Sequence, residues 1–221
     1  MSLPRRQFRY SIDQYLAIDR ASEERYEYLD GEIYAMAGES PQHGIICTNV
    51  STLLDNQLKD GPCFVFSNDT KVLSGPAPRS GGRKGLFSYP DVVIDCGEMK
   101  FFDERQDVLL NPMVIIEVAS PYTEAFDRGE KWLRYQMWLP ELTDYLMVAQ
   151  DEPRVEQYSR VPGGQWVYSV VKGLDGEIEL KSIDCSLKLS DIYDRVVFPE
   201  RKPENPIDSF KDMIPVGPPR G

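Results

Sequence analysis

The chain has 221 residues, of which 41% are hydrophobic, enough for one domain with a buried core. Its formal net charge of −11 argues against a protein that binds nucleic acid over a broad basic surface, because affinity for phosphates comes mainly from Lys and Arg. No window is apolar over the length of a membrane span. We therefore expect a cytoplasmic protein with no membrane partner.

Cysteine usage indicates thiols rather than a metal centre. The four cysteines are Cys47, Cys63, Cys96 and Cys185, and none of them forms a C-x-x-C pair. His43 is the only histidine, so the pattern does not favour a structural zinc site. We expect reduced, mostly buried thiols.

Periodicity and turn residues predict the elements of the N-terminal half. The Asp30-Gly31 dipeptide is typical of a hairpin turn, and Ser40 followed by Pro41 is typical of a helix start. The predicted elements are helices over residues 12–18, 22–25 and 40–59, a β-hairpin over 27–36 and a single strand over 63–73.

A basic segment follows, from Ser74 to Gly85, with three positive charges on Arg79, Arg83 and Lys84 and no acid. Two interpretations stay open. The segment is either a flexible loop that guides a nucleic-acid strand inward or a solvated connection rich in Gly, Pro and Ser.

The C-terminal half alternates strands with one long helix. The predicted elements are strands around residues 91–94 and 114–118, a helix over 127–138, a strand over 145–149, antiparallel segments over 154–158, 165–171 and 177–183, and a short helix over 189–193. Residues 199–221 are proline-rich and lack apolar periodicity. We predict one domain over residues 1–198 and a tail over 199–221.

Two carboxylates stand in otherwise apolar strands. Asp91 follows Tyr89-Pro90 and precedes an apolar run, and Glu117 interrupts Val114-Ile115-Ile116 and Val118. A charged side chain in a buried strand needs a compensating partner or a functional role. Together with Lys131 on the following helix, the two acids have the composition needed to hold a divalent metal and to activate water at a phosphodiester.

Six sequence blocks, in order over roughly residues 10–195, resemble the Uma-two family of restriction endonucleases within the PD-(D/E)XK nuclease superfamily. The blocks are Tyr28-Leu-Asp-Gly-Glu-Ile33, Ser40-Pro-Gln-His43, Asp69-Thr-Lys-Val72, Tyr89-Pro-Asp-Val-Val93, Ile116-Glu-Val-Ala-Ser-Pro121 and Asp127-Arg-Gly-Glu-Lys131 with Tyr135.

The resemblance implies an α/β (α+β) fold. We expect a restriction-endonuclease-like core in which a mixed central β-sheet is flanked by helices, with an N-terminal β-hairpin and a C-terminal antiparallel extension. The implied activity is that of an endonuclease that hydrolyses phosphodiester bonds of DNA with Mg²⁺, for which Mn²⁺ can substitute. Asp91 and Glu117 are the expected metal ligands. Because related nucleases pair two sites to cut two strands, the resemblance also implies a homodimer.

The lysine of the superfamily motif is displaced in this chain. Ala119 stands two residues after Glu117, where the usual motif has lysine. The family pattern resembles the variant in which the next helix supplies the amine, here Lys131. Asp127, Lys131 and Tyr135 recur at helical spacing and so fall near one helical face.

Further candidates have an ordinary structural alternative. Lys71 forms a D-x-K pattern with Asp69 and would line the cleft or lie on a surface strand. Glu27 and Glu32 flank the hairpin turn and would add a third carboxylate or be solvated. His43 would contact a phosphate or polarise a water, or cap its helix.

Two other function classes stay open. One is a non-catalytic binding or assembly module of the same fold, which the acidic surface and the missing strand lysine allow. The other is an acid/base enzyme such as a carbohydrate hydrolase with paired carboxylates. Trp132 and Trp138 are predicted to pack the second long helix onto the sheet.

Overall fold

The computed structural model describes residues 9–36, 38–76, 81–120 and 123–199, so the predicted tail lies outside the described residues from position 200 onward. The helices are α1 (Ile12–Asp19), α2 (Pro41–Leu58), α3 (Glu124–Phe126), α4 (Trp132–Trp138) and α5 (Leu189–Ile192), with a π-helix over Asp127–Lys131. The strands are β1 (Tyr26–Leu29), β2 (Glu32–Ala35), β3 (Cys63–Ser67), β4 (Lys71–Ser74), β5 (Leu86–Ser88), β6 (Val92–Cys96), β7 (Val108–Leu109), β8 (Val114–Ala119), β9 (Asp144–Ala149), β10 (Arg154–Arg160), β11 (Trp166–Lys172), β12 (Glu177–Leu180) and β13 (Cys185–Lys188). None of the described helices combines the length and the apolar character that crossing a bilayer requires.

A six-stranded mixed sheet forms the centre, in the order β11-β10-β9-β8-β6-β3. Within this sheet, as far as the chain is described, β8 and β9 are the one parallel pair, and every residue of these two strands is buried. The π-helix and its flanking helices supply the crossover that a parallel pair needs. The predicted mixed sheet flanked by helices is confirmed. In the predicted antiparallel extension, β10 and β11 continue this sheet beside β9, whereas β12 pairs with β13 in a separate two-stranded sheet.

A second sheet, in the order β2-β1-β5-β4-β7, carries the predicted hairpin. Asp30 (φ +48°) and Gly31 (φ +105°) occupy the left-handed region, which matches a two-residue turn between twisted strands. This hairpin pairs through β1 with β5, the strand that leads directly to Asp91. The hairpin therefore stands beside the carboxylate strands of the central sheet.

Apolar layers hold the elements on both faces of the central sheet. Helix α2 packs Ile46, Val50 and Leu54 onto one face, and α4 packs Trp132 and Tyr135 onto the other. Each such fully buried side chain contributes about 1.5–3 kcal/mol. This packing fixes α2, which carries His43, and α4, which directly follows the π-helix that carries Lys131.

The structure differs from the predicted elements in several places. Residues 22–25 are not helical, because the Asp19 carboxylate accepts the Tyr26 N–H at 3.0 Å and folds the chain back into β1. The predicted strand over 63–73 is two strands in different sheets, since Asn68-Asp69 forms a turn. Strands β5, β7 and β13 were not predicted.

The tryptophan prediction is half correct. Trp132 is buried and stacks on Tyr145 and Tyr158, with ring centroids 5.4 and 4.3 Å apart. Trp138, on the same helix, is 40% exposed.

The prediction of four reduced thiols is wrong for one pair. Cys63 and Cys96 are opposite each other in the antiparallel pairing of β3 and β6 and form a disulfide. Their separation of 33 residues gave no hint of this pairing, which depends on strand register. Among the described residues Cys47 and Cys185 are free, and only Cys185 is fully buried.

Candidate active site

Asp91 and Glu117 lie at the same end of the pairing between β6 and β8, Asp91 just before β6 and Glu117 within β8. The last pair of the β6–β8 ladder is Val92 with Ile116, and the next position on each strand carries Asp91 and Glu117. Both side chains are buried, with exposed fractions of 8% and 3%. The two predicted metal ligands are therefore brought together by register.

A cleft of about 380 Å³ opens above these two carboxylates. The hairpin, the start of α2 and the π-helix form its walls. Its charged lining consists of Glu27, Glu39, His43, Asp91, Glu117, Asp127 and Lys131. Five acids face one lysine and one histidine, so the cleft has a negative charge that attracts cations.

Lys131 is the central cation of the cleft. Its Nζ lies 3.3 Å from Glu117 Oε1, 3.3 Å from Glu27 Oε1 and 3.1 Å from Asp127 Oδ1. Burial by itself lowers the pKa of Lys131, but the surrounding carboxylates, Glu117 first, raise it well above its usual value of 10.5. The lysine therefore stays charged at neutral pH.

The surroundings of the Glu117 carboxyl disfavour its ionised form. Burial raises its pKa well above the usual 4.5, Lys131 opposes this, and the nearby Asp127, Asp91 and Glu27 raise it further. A hydroxyl also reaches it, since Tyr135 donates a hydrogen bond to Glu117 Oε1 at 3.3 Å. A further positive charge in the cleft would stabilise the ionised form.

A π-helix places two of these charges. Asp127 and Lys131 are the first and last residues of this segment, and both are buried. They form an ion pair in which Asp127 Oδ1 makes no hydrogen bond. Single π-turns inside α-helices are often found at functional sites. Asp127, Lys131 and Tyr135, predicted to fall near one helical face, are linked by contacts: Lys131 Nζ contacts Asp127 and Glu117, and the Tyr135 hydroxyl contacts Glu117.

His43 is buried at the start of α2, where Ser40 caps the helix. Its Nε2 lies 3.2 Å from Asp91 Oδ2 and its Nδ1 lies 3.2 Å from Glu39 Oε2. Burial lowers the pKa of His43, but Asp91 and then Glu39 raise it above 6.5 overall. Asp91 Oδ2 also accepts the Val118 N–H at 2.7 Å, which fixes the carboxylate on the strand.

Cys47 lies one turn after His43 on α2. Its Sγ is 3.6 Å from His43 Nδ1. Burial, together with Asp91 and Glu39, raises the pKa of this thiol well above its usual value. The thiol is therefore protonated at neutral pH and is not an activated nucleophile.

The rival lysine is placed elsewhere. Lys71 Nζ lies 2.9 Å from Asp19 Oδ2 and 3.0 Å from Asp107 Oδ2 in a neighbouring cavity. It is not among the residues that line the candidate site. Asp69 is in a turn with its side chain 84% exposed, 3.3 Å from an Arg25 nitrogen. Tyr89 lines both cavities and separates them.

The hairpin contributes only one of its two predicted acids. Glu27 faces the cleft, where Oε1 accepts the Tyr89 N–H at 3.2 Å. Glu32 does not line the cleft, and its Oε2 accepts a hydrogen bond from Tyr34 at 2.7 Å.

Sequence reasoning missed several polar residues at or beside the site, among them Glu39, Cys47 and Ser88. Glu39 and Cys47 stand four residues before and after His43, a helical spacing that would have placed them beside it. Ser88 lies 2.8 Å from the Tyr135 hydroxyl and had no sequence signal, because it belongs to a strand that was not predicted.

The model of the Uma2 family, described as "Putative restriction endonuclease", matches residues 12–190. The chain belongs to the Uma2 family. Among its relatives is the uncharacterised protein slr1290 of Synechocystis sp., which is 33% identical over 85% of this chain and 93% of its own length. A second Synechocystis protein, sll1609, is 32% identical over 75% of this chain and 89% of its own.

The fold is also that of a known structure. A crystal structure from Anabaena variabilis, described as a putative nuclease belonging to DUF820, superposes with a TM-score of 0.66. The superposed region covers 85% of this chain and 99% of that chain, with 16% sequence identity. The resemblance stated from the sequence blocks is thereby confirmed for family and fold.

Proposed function

We propose that this Uma2 protein is a metal-dependent endonuclease that hydrolyses phosphodiester bonds of DNA. The observation that carries the proposal is the convergence of Asp91, Glu117 and Lys131 in one cleft, with the two acids next to the last pair of the β6–β8 ladder and the lysine Nζ 3.3 Å from Glu117 Oε1. The description of the family as a restriction endonuclease supports the same reaction class.

The donor set fits Mg²⁺ or Mn²⁺. Asp91 and Glu117 offer hard carboxylate oxygens, and the excess of buried negative charge around Glu117 calls for a cation. Both contacts of Asp91 described above use Oδ2, so Oδ1 is the oxygen that would bind the ion. A bound divalent ion supplies Lewis-acid polarisation of a phosphoryl oxygen and lowers the pKa of a coordinated water.

Lys131 has the position of an electrostatic stabiliser. Its charged Nζ is buried, needs no reorganisation and lies beside the carboxylate that would face the phosphate. The Tyr135 hydroxyl and the Asp127 ion pair fix Glu117 and Lys131 in place. His43 Nε2 lies 3.2 Å from Asp91 Oδ2 and fixes that carboxylate from the side of α2.

Substrate entry requires basic residues outside the acidic cleft. Arg83 and Lys84 follow the part of the basic segment that lies outside the described residues, and the Lys84 side chain is 76% exposed. Contacts from such residues to DNA phosphates would make binding salt-dependent. The small number of these residues favours weak binding that depends on the active-site ion.

Two copies of the chain would be needed to cut both strands of a duplex together. Strand β11 is an edge of the central sheet in the described residues, and Val167, Tyr168 and Val170 on it are exposed. Antiparallel pairing of two such edges would give a symmetric dimer with one continuous sheet. We propose this homodimer as the cutting unit, and light scattering combined with gel filtration tests it.

Plasmid nicking together with metal calorimetry tests the proposed reaction. The wild type should bind Mg²⁺ or Mn²⁺ and nick supercoiled DNA, and EDTA should stop the nicking. Asp91→Asn and Glu117→Gln should no longer bind the metal. Their nicking rates should fall by at least about a hundredfold. The matched control is Asp69→Asn, an exposed acid outside the cleft, which should behave as wild type.

The other outcomes separate the alternatives. Metal binding without cleavage of any DNA would favour a non-catalytic member of the fold. Cleavage that persists in both acid variants would refute the proposed site. Hydrolysis of a glycoside with no metal requirement would replace the proposal with acid/base chemistry.

A further inference from the structure

We propose that His43, Cys47 and Asp91 form a second metal site, for a borderline cation of the Zn²⁺ class, and that occupation of this site inhibits the enzyme. The binding part of this inference stands on geometry alone. Its inhibitory part rests on the proposed function, because Asp91 would be shared with the hydrolytic ion.

The three ligand atoms are already close together. One ligand atom from each of His43, Cys47 and Asp91 can be chosen so that all three lie within 4.8 Å of one another. Around a tetrahedral zinc ion, with bonds of about 2.0–2.3 Å, ligand atoms are about 3.3–3.7 Å apart. Small side-chain rotations would therefore close the site without moving the backbone.

Rigid elements hold these ligands. His43 and Cys47 are separated by one turn of α2, whose start is fixed by the Ser40 cap and a first-turn proline. Asp91 is fixed by the Val118 N–H. Because neither element must be reordered, binding costs little conformational entropy.

Glu39 is not one of the three ligands but contacts the His43 ring. Its Oε2 lies 3.2 Å from His43 Nδ1, the nitrogen that Cys47 Sγ also approaches at 3.6 Å, whereas Nε2 faces Asp91. A carboxylate that accepts the N–H of one ring nitrogen orients the other toward a metal, an arrangement common among zinc-binding histidines. Glu39 thereby acts as a positioning residue for this site.

The chemistry of the donors distinguishes this site from the proposed Mg²⁺ site. A thiolate and an imidazole suit Zn²⁺ and its neighbours in the first transition row, whereas Mg²⁺ prefers carboxylates, carbonyls and water. Binding replaces the S–H bond of Cys47 with a metal–sulfur bond, and the proton leaves to solvent. Cys47 has no part in the proposed hydrolysis. Metal binding at this site would be its role beside the cleft.

Sharing of Asp91 links the two sites. An ion held by His43, Cys47 and Asp91 occupies a carboxylate that the hydrolytic ion needs, and its positive charge also opposes a second cation nearby. Zn²⁺ should therefore inhibit Mg²⁺-dependent cleavage.

Cobalt absorption spectroscopy tests binding independently of activity. Co²⁺ added to the wild-type protein should give the near-ultraviolet charge-transfer band of a cobalt–thiolate bond. Cys47→Ser should lose the band. The matched control, Cys185→Ser, removes the other free cysteine of the described residues and should keep it. Circular dichroism establishes that both variants are folded.

The outcomes are decisive for the site. Absence of the band in the wild type, or its persistence in Cys47→Ser, would overturn the inference. Loss of the band in Cys185→Ser with retention in Cys47→Ser would place the metal elsewhere and would overturn it as well.

Zn²⁺ titration in the nicking assay tests inhibition. With each protein normalised to its own rate without Zn²⁺, Cys47→Ser should require more than about ten times the Zn²⁺ for half-inhibition. Equal inhibition of wild type and variant would refute the inhibitory role. A thiolate band that depends on Cys47 in a protein without nuclease activity would support the metal site while refuting the proposed function.

Discussion

Lys131 Nζ lies 3.3 Å from Glu117 Oε1, although the two residues come from different elements, the π-helix and β8. The strand itself carries Ala119 where a lysine of the usual motif would stand, and Ala119 is packed in an apolar cluster. The helix thus delivers the amine to the carboxylate that the strand presents.

Glu117→Gln should stabilise the metal-free protein at neutral pH. The pKa of Glu117 is raised well above 4.5, chiefly by burial, so its ionised form disfavours folding. We expect a gain of about 1–3 kcal/mol in the free energy of unfolding, measured by urea denaturation in EDTA. A group whose pKa is raised on folding loses stability as pH rises, so the gain should vanish below about pH 4.5.

Addition of Mg²⁺ should reverse the order of stability of the wild type and Glu117→Gln. The ion should raise the melting temperature of the wild type and leave that of Glu117→Gln unchanged, because the variant lacks the charged ligand. An equal shift in both proteins would show that Glu117 is not a ligand.

Lys131→Met should destabilise the protein at neutral pH. The Lys131 ammonium contacts three carboxylates of the cleft, and its removal leaves Glu27, Glu117 and Asp127 without this compensating charge. We expect a loss of about 3–5 kcal/mol, measured by chemical denaturation, which shrinks at pH 5 because the acids can then take up protons.

Lys71→Met is the matched control for this variant. Lys71 is equally buried and is also paired with acids, but in the neighbouring cavity. It should lose similar stability, and Mg²⁺ should restore stability to Lys131→Met and not to Lys71→Met. Restoration of both variants to the same extent would argue against a cation site beside Lys131.

Trp132→Ala should cost about 3–5 kcal/mol in the free energy of unfolding. The indole is buried between α4 and the central sheet, where it stacks on Tyr145 and Tyr158. Trp138→Ala removes the same side chain from an exposed position on the same helix and should cost less than about 1 kcal/mol. Comparable losses from thermal melts of the two variants would contradict this packing.

Asp107 should give the protein an acid-labile contribution to stability. Burial alone raises the pKa of Asp107, but hydrogen bonds from Arg20 and Lys71 lower it from 3.8 to about 2. A depressed pKa stabilises the fold above the unfolded value of 3.8, and this stabilisation is lost as pH falls toward 2.

The test is the difference in unfolding free energy between the wild type and Asp107→Asn. It should be about 1 kcal/mol near pH 6, because the carboxylate is partly exposed and solvent screens it. It should decline between about pH 4 and pH 2. A difference independent of pH would show that the Arg20 and Lys71 contacts do not depend on the charge of Asp107.

Local sequence patterns determined much of this protein. The Asp30-Gly31 turn, the capped start of α2 and the apolar strands around Asp91 and Glu117 were predictable, because turn chemistry, capping and periodicity operate over a few residues. Motif order was enough to predict the family and the mixed sheet.

Tertiary structure decided which of the candidates meet. Strand register paired Cys63 with Cys96, and the packing of α4 and its π-helix brought Lys131 to Glu117 while the second sheet kept Lys71 with Asp19. These contacts join segments far apart in the chain and depend on the alignment of whole elements. A residue's own neighbours in sequence carry no information about that alignment.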